Sequence, residues 1–351
     1  MSISSRLSSP QEKQVSQPSP IEILKEKARP PGKGVSVPYL IYAVAKLGIA
    51  DLLKNGPMTN ETLASTLKVY SRALLRTMEI LADEGIFVEV EEGKFASNPV
   101  SQLLESGKMR ERVIVWFEKD LPVARDILYT ITTGEPAFEH VHGMGFYEYC
   151  SQNADFNHDF DSMMTDYTRK FANEFVPSYD FSDYKVIVDV GGSVGMLLAA
   201  ILKANPHTRG KLFDRLAAIE EAGKFLRQEG VLDRCELVPG SYFDSAPPGG
   251  DLYILKWVLP DLVDETFLRV MRNIRKGMNA NSKLLLVDTV MPRGNKPSPA
   301  RHLDLNMMII GSRGGIRSES EIRDLSSRAG LSVRKAIPIT PLFTVFELYP
   351  T

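Results

Sequence analysis

Apolar residues recur at helical spacing from residue 34 to 54, with Val37, Leu40, Ile41, Val44, Leu47 and Ile49 on one stripe. Pro57-Met58-Thr59-Asn60-Glu61 reads as a helix cap, with Thr59 or Asn60 ahead of Leu63 and Ala64. Leu74, Leu75, Met78 and Leu81 give residues 71–84 a second amphipathic face. The pattern then changes to strand-like runs, Ile86–Val90 and Gly93–Ala96, hinged on Glu91-Glu92-Gly93. Helices followed by a hairpin make a winged-helix arrangement. Ahead of it, residues 1–20 are rich in Ser, Gln and Pro and read as disordered, and Ile21–Ala28 begins a first helix.

Residues 100–183 read as mostly helical, with breaks at Gly134-Glu135-Pro136 and Gly143-Met144-Gly145. From residue 184 the chain alternates. The run Val186–Val188 ends in Asp189, a glycine-rich turn follows through Gly191, Gly192, Ser193 and Gly195, and Met196–Ala204 is helical. Further strands fall at a run ending in Asp214, at Cys235–Gly240, Leu252–Val258 and Lys283–Val290, with helices at Asp264–Met278, Leu303–Ile310 and Ser318–Ala329. Ser318 and Glu321 have the spacing of a capping box. Val333–Ile339 and Thr344–Tyr349 close the chain as an antiparallel pair. Such alternation predicts an α/β domain with a mainly parallel sheet and ligands at the carboxyl ends of its strands.

The glycine turn carries chemistry. Glycines let a backbone approach a ligand closely, and a helix N-terminus offers unpaired N–H groups. Asp214 lies about 20 residues beyond it, where nucleotide-type folds place an acid on ribose hydroxyls. No Lys-Ser/Thr follows the turn, which excludes a phosphate-binding P-loop. A purely structural turn is the alternative to a nucleoside-type ligand.

Composition changes this picture little. The 351 residues carry a net charge of −2 and two cysteines, Cys150 and Cys235, far apart and read as reduced structural thiols. With no basic stripe, and with Glu89, Glu91 and Glu92 in the wing, nucleic acid is disfavoured as a partner. No apolar run approaches the ~18 residues of a membrane span, and no hydrophobic signal core is present, so a cytoplasmic protein is expected. Between residues 138 and 167 an aromatic and methionine cluster includes Phe138, Phe146, Met163, Met164 and Tyr167, beside His140 and His142. It reads either as core or as the wall of a pocket for a flat apolar molecule.

The motifs VDVGGSVG at 188–195, FD at 213–214, LKWVLPDLVDE at 255–265, LLLVDTVMP at 284–292, and DLNMM through GGIRSESE at 304–321 occur in order. In these the chain resembles the S-adenosylmethionine-dependent O-methyltransferases of the caffeate and hydroxyindole type, over roughly residues 30 to 350. The resemblance implies a Rossmann-like seven-stranded methyltransferase domain preceded by an α-helical winged-helix dimerisation domain, and a homodimer. The expected boundaries are 21–105 for the dimerisation domain, 106–183 for a helical linker and pocket segment, and 184–351 for the cofactor domain. It implies S-adenosylmethionine held by Asp189, Gly191, Gly192, Gly195, Asp214, Lys256 and the adenine-framing loop Ser241-Tyr242-Phe243. A small-molecule substrate would meet Phe138, Phe146, Met163, Met164, Tyr167, Trp257, Asn306 and Met307.

The departures bear on mechanism. The family's general-base histidine falls at Pro260, which has no ionisable group. Of the two acids that orient this histidine, one aligns with Asp288 and the other with Ile316. The remaining candidates for proton handling are Asp261, Asp304, His302, His142 and His140. Two expectations follow. One is methyl transfer to a small aromatic or polyketide-like secondary metabolite without the usual base, resting on positioning. The other is a non-methylating cyclase or pericyclase that uses the cofactor's charge. A non-catalytic binding module is a third and weaker reading.

Overall fold

The computed structural model describes residues 37–294, 297–311 and 313–351; the predicted tail and the helix expected over Ile21–Ala28 lie outside them. Helix α1, Val37–Leu47, carries the first apolar stripe and buries Val44 and Ala45. It stops at Gly48, whose φ of +69° suits a residue without a Cβ. A second short helix, Ile49–Leu52, takes up the rest of the stripe. Thr59 caps helix α2, Asn60–Leu67, by accepting the Thr62 N–H at 3.3 Å. Helix α3 is Ser71–Asp83, with Leu74, Met78 and Leu81 buried. The wing pairs strands β2, Val88–Glu91, and β3, Lys94–Ala96. A two-residue strand β1, Met58–Thr59, adds to β3, too short to have shown any alternation. Leu63, Met78, Phe87 and Phe95 fill the core of this domain.

Residues 101–152 form short helices, two of them closed by left-handed glycines at Gly134 and Gly143, where breaks were expected. One turn, Trp116–Asp120, is π-helical. Helix α4, Ala154–Ser178, runs for 25 residues. Its second half buries Phe171, Ala172 and Phe175 against the sheet of the following domain.

That sheet has seven strands. They are β4 (Val186–Val190), β5 (Arg209–Asp214), β6 (Cys235–Pro239), β7 (Leu252–Lys256), β8 (Lys283–Asp288), β9 (Leu331–Pro338) and β10 (Thr344–Pro350), in the order β6-β5-β4-β7-β8-β10-β9. The pairs from β6 to β8 are parallel, and β10 is antiparallel to both β8 and β9. Side chains alternate between faces. Ile187, Leu212, Ile254 and Leu285 join one core, and Val188, Val190, Phe213, Leu255 and Leu286 the other. Both faces are covered by helices, which is why these strands read as continuous apolar runs.

Helix α5, Met196–Ala204, follows the glycine turn. Helix α6, Leu216–Gln228, is not among the elements singled out from the sequence, although Ile219, Ala222 and Leu226 give it a buried face. Helices α7 (Asp264–Gly277), α8 (Pro299–Ile310) and α9 (Glu319–Arg328) lie near their expected positions, and α9 has the capping box at Ser318 and Glu321. Strand order reverses between β4 and β7, so the ligand crevice opens at their carboxyl ends. Both cysteines are buried and unpaired. Among the described residues no helix is long and apolar enough to cross a membrane.

Candidate active site

The turn after β4 depends on its glycines. Gly191 has φ +70° and Gly195 +82°, and Ser193 is drawn into the same left-handed region at +53°. A Cβ on Gly192 would fall 2.5 Å from both Asp189 Oδ2 and Leu212 Cδ1. The Ser193 N–H donates to Asp214 Oδ2 at 2.8 Å, and the Arg215 N–H donates to Asp214 Oδ1 at 2.7 Å. The acid at the tip of β5 is thereby fixed against the turn. Tyr242 closes the opposite side, its ring about as near as a Cβ on Gly191 would permit, at 3.3 Å. The Asn273 side-chain amide donates to the carbonyls of Tyr242 and Phe243 at 3.1 and 2.9 Å, and Ser241 Oγ accepts the Phe243 N–H at 3.2 Å.

Beneath the turn lies a buried charged group. Asp189 is 2 % exposed, and its Oδ2 has no hydrogen-bond partner. Burial pushes its carboxyl up to about 7 against the pull of Lys256. Burial also lowers Lys256 to about 8, with Asp189 and Asp288 opposing that shift. Asp288, buried as well, is pushed up to about 7 although it accepts the Thr289 N–H at 2.7 Å. An orphaned carboxylate oxygen under a glycine cradle fits a ligand that brings its own N–H or O–H donor.

A cavity of about 430 Å³ adjoins this crevice. Its walls come from four parts of the chain: Val115, Trp116 and Lys119; Gly145, Phe146 and Tyr147; Phe160, Met163, Met164 and Tyr167 on α4; and Leu303, Asn306, Met307 and Ile310 on α8. Trp257, Pro260 and Asp261 join them from the loop after β7. That loop ties the two spaces together, because Val258 packs on Gly191 while its neighbours line the cavity. Trp257 has φ +56°, a conformation that costs a bulky residue about 1–3 kcal/mol. Its N–H donates to the Val287 carbonyl at 2.9 Å, and its ring meets Phe343 and Tyr167 edge-on at 4.9 and 5.7 Å, which holds the strained backbone.

The loop is braced from behind. The Gly315 N–H donates to the Pro260 carbonyl at 2.8 Å. The Arg317 guanidinium donates to the Leu259 and Leu262 carbonyls at 3.0 and 2.6 Å and to Asp264 at 2.8 Å. Any Cβ on Gly314 would sit 2.3 Å from the Pro260 carbonyl oxygen. Ile316 packs in a small apolar cluster with Ala300 and Met307.

Of the expected substrate contacts, Phe146, Met163, Met164, Tyr167, Trp257, Asn306 and Met307 line the cavity. Phe138 does not: it is fully buried and packs edge-on against Phe146 at 5.4 Å. Of the expected proton-handling groups only Asp261 lines it, accepting the Tyr147 hydroxyl at 2.9 Å. Asp304 lies outside, its Oδ1 taken by the Ile316 N–H at 2.7 Å. His142 is wedged between Phe138 and Tyr149, with burial lowering its pKa. His140 stacks on Tyr129 at 4.0 Å and faces Asp126 at 3.3 Å. His302 is exposed, and Asp288 lies behind the loop among the buried charges. Lys119, 5 % exposed on the π-helical turn, was not anticipated; a lone lysine in a run read only as helical gives no sequence signal.

Comparison with known proteins agrees with this geometry. Residues 33–107 match the model of an O-methyltransferase dimerisation domain, and residues 125–332 that of an O-methyltransferase domain. The chain is 35% identical over 321 residues to the phenazine O-methyltransferase PhzM of Lysobacter antibioticus, covering 90% of this chain and 94% of that one. The solved structure of LaPhzM superposes with a TM-score of 0.85 at 34% identity, covering 94% and 98%. NcsB1, an O-methyltransferase from neocarzinostatin biosynthesis solved with S-adenosylmethionine and 2-hydroxy-5-methyl naphthoic acid, superposes with a TM-score of 0.75 at 26% identity, covering 90% and 96%. The glycine cradle and buried carboxylate fit S-adenosylmethionine, and the chain belongs to the O-methyltransferase family that joins a dimerisation domain to a catalytic domain using this cofactor.

Proposed function

We propose that the chain methylates a small, flat aromatic secondary metabolite without a histidine base. The observation that supports this most is the five-residue stretch Trp257–Asp261 after β7, which runs from the cofactor crevice into the cavity. Bound S-adenosylmethionine supplies an electrophilic sulfonium methyl group. Asp189, Asp214, Tyr242 and the turn from Gly191 to Gly195 would hold it. The protein's own contribution is positioning: aromatic and methionine side chains clamp a planar ring and exclude water, and pre-set orientation can supply several kcal/mol of rate enhancement. Pro260, at the position expected of the base, offers an apolar surface and no proton acceptor. Relatives acting on phenazine, mitomycin and naphthoate substrates support the substrate class. The matched dimerisation domain supports a homodimer.

The test is incubation with methyl-labelled S-adenosylmethionine and a panel of hydroxylated phenazines and naphthoates. Label in product is the expected result. Turnover that requires the cofactor but leaves the substrate unlabelled would replace this reading with the cyclase one.

A further inference from the structure

We propose that Asp261, oriented by the Tyr147 hydroxyl, is the group that takes the proton of the acceptor hydroxyl, an inference that rests on the methyl-transfer reading above. Among the described residues six titratable side chains line the cavity: Lys119, Glu139, Tyr147, Glu148, Tyr167 and Asp261. Glu139 and Glu148 are exposed, and neither stands on the loop that packs against the glycine turn. Lys119 is a cation with donors only. The Tyr147 hydroxyl already donates its hydrogen bond to Asp261 Oδ2, at 2.9 Å. Asp261 alone combines three properties. It is a carboxylate, it faces the cavity, and it stands on the loop that packs against the glycine turn.

The geometry suits a proton acceptor. A carboxylate offers about four lone-pair sites, so accepting from Tyr147 leaves capacity for a substrate hydroxyl. Tyr147 belongs to the short helix Phe146–Gln152, 114 residues away in sequence, so its hydrogen bond also joins opposite walls of the cavity. The backbone of Asp261 is restrained by the bonds of Gly315 and Arg317 to the residues on either side. Burial raises the carboxyl's affinity for a proton, which brings it closer to a phenol's; the Tyr147 hydrogen bond and Lys119 oppose that rise. Asp288 and Tyr242 are the other groups whose ionisation is coupled to it.

Methyl transfer forms the oxygen–methyl bond as the carbon–sulfur bond breaks, and the sulfonium becomes a neutral thioether. The hydroxyl proton that must leave goes to an Asp261 oxygen and from there to solvent when product departs. No oxidant or further reactant is needed. The acceptor is then a weakly acidic phenol, for which proton removal limits the rate.

Two measurements test this. The first needs no cofactor: a nitrophenol is bound to the purified chain and its ionisation followed by absorbance. A negative Asp261 accepting the phenol's hydrogen bond holds the phenol neutral. In Asp261→Asn the bound phenol's acid dissociation constant should therefore be about tenfold larger, one pKa unit. An unchanged constant overturns the proposal. In the second, Asp261→Asn should lower kcat on a weakly acidic hydroxynaphthoate by roughly 10²–10⁴-fold. The loss on a dinitrophenol, acidic enough to stay ionised beside Asp261, should be under about tenfold, and affinity for S-adenosylmethionine should be unchanged. Asp261→Glu, which keeps the carboxylate, should recover part of the rate; equal loss in both variants would indicate a structural role and sink the proposal. Wild-type protein that transfers no label overturns the methyl-transfer reading and this one together. Wild-type transfer matched by Asp261→Asn overturns this one alone.

Discussion

The cofactor crevice and the substrate cavity share a loop but are built differently. The floor of the crevice is local: β4, its turn and the tip of β5 span residues 186–214, and backbone conformation does most of the shaping, with Tyr242 added from further along the chain. The cavity is assembled from four segments spread over residues 115–310 plus the loop after β7, and side chains shape it. The difference teaches where each half is vulnerable. The crevice tolerates almost no added atom, whereas the cavity can change lining while keeping its frame.

The sharpest way to break this contrast is Gly192→Ala. The new Cβ must displace Asp189 and Leu212, at a cost of about 1–3 kcal/mol. Affinity for S-adenosylmethionine, measured by calorimetry, should fall at least about tenfold. Binding of an aromatic ligand in the cavity should stay within a factor of two. If both fall together, the two halves are not separable.

A smaller effect, with a sign that depends on pH, is expected for Asp189→Asn. The folded carboxyl titrates at about 7, well above its ordinary value, so the folded state holds this proton more tightly than the unfolded chain. Its stabilising contribution is complete at pH values below the ordinary carboxylate pKa and is lost as pH rises toward 7. The Asn variant escapes that loss. Cofactor-free Asp189→Asn should therefore melt higher than wild type at pH 8, with the difference shrinking toward pH 4, while binding S-adenosylmethionine more weakly. A variant that melts lower at pH 8 would mean that the pairing with Lys256 outweighs burial.

The smallest effects belong to the histidines outside the cavity. His302→Ala and His140→Ala should each change stability by no more than about 0.5 kcal/mol and leave turnover intact. A tenfold loss of kcat in either would move the proton-handling site out of the cavity.

These contrasts also explain what could be read from the chain. Strands β4, β7 and β8 were legible because each is a short apolar run, and the turn because its glycines are adjacent. The winged helix was legible from periodicity, although β1 was not. On α4, Met163, Met164 and Tyr167 stood out by composition alone, which left core and pocket wall open, and the fold makes them a wall. Phe138 has the same composition signal but packs behind Phe146. Asp304 and His142 are polar residues beside pocket segments, yet one is taken by a backbone N–H and the other by aromatic packing. Which way a side chain points depends on contacts made tens of residues away, and no local pattern encodes them. Lys119 and the hydrogen bond from Tyr147 to Asp261 illustrate this: each becomes visible only when the helical segments meet the loop after β7.

Helix α4 has a practical consequence for anyone redirecting this scaffold to a new acceptor. Its first half lines the cavity and its second half is embedded under the seven-stranded sheet, along a rod of roughly 37 Å. Sliding or tilting that rod to enlarge the cavity would drag Phe171 and Phe175 out of the main core. Selectivity is therefore best retuned by exchanging side chains at Phe160, Met163, Met164 and Tyr167 on a stationary backbone. Libraries confined to those four positions should yield folded variants far more often than insertions or deletions in the same helix.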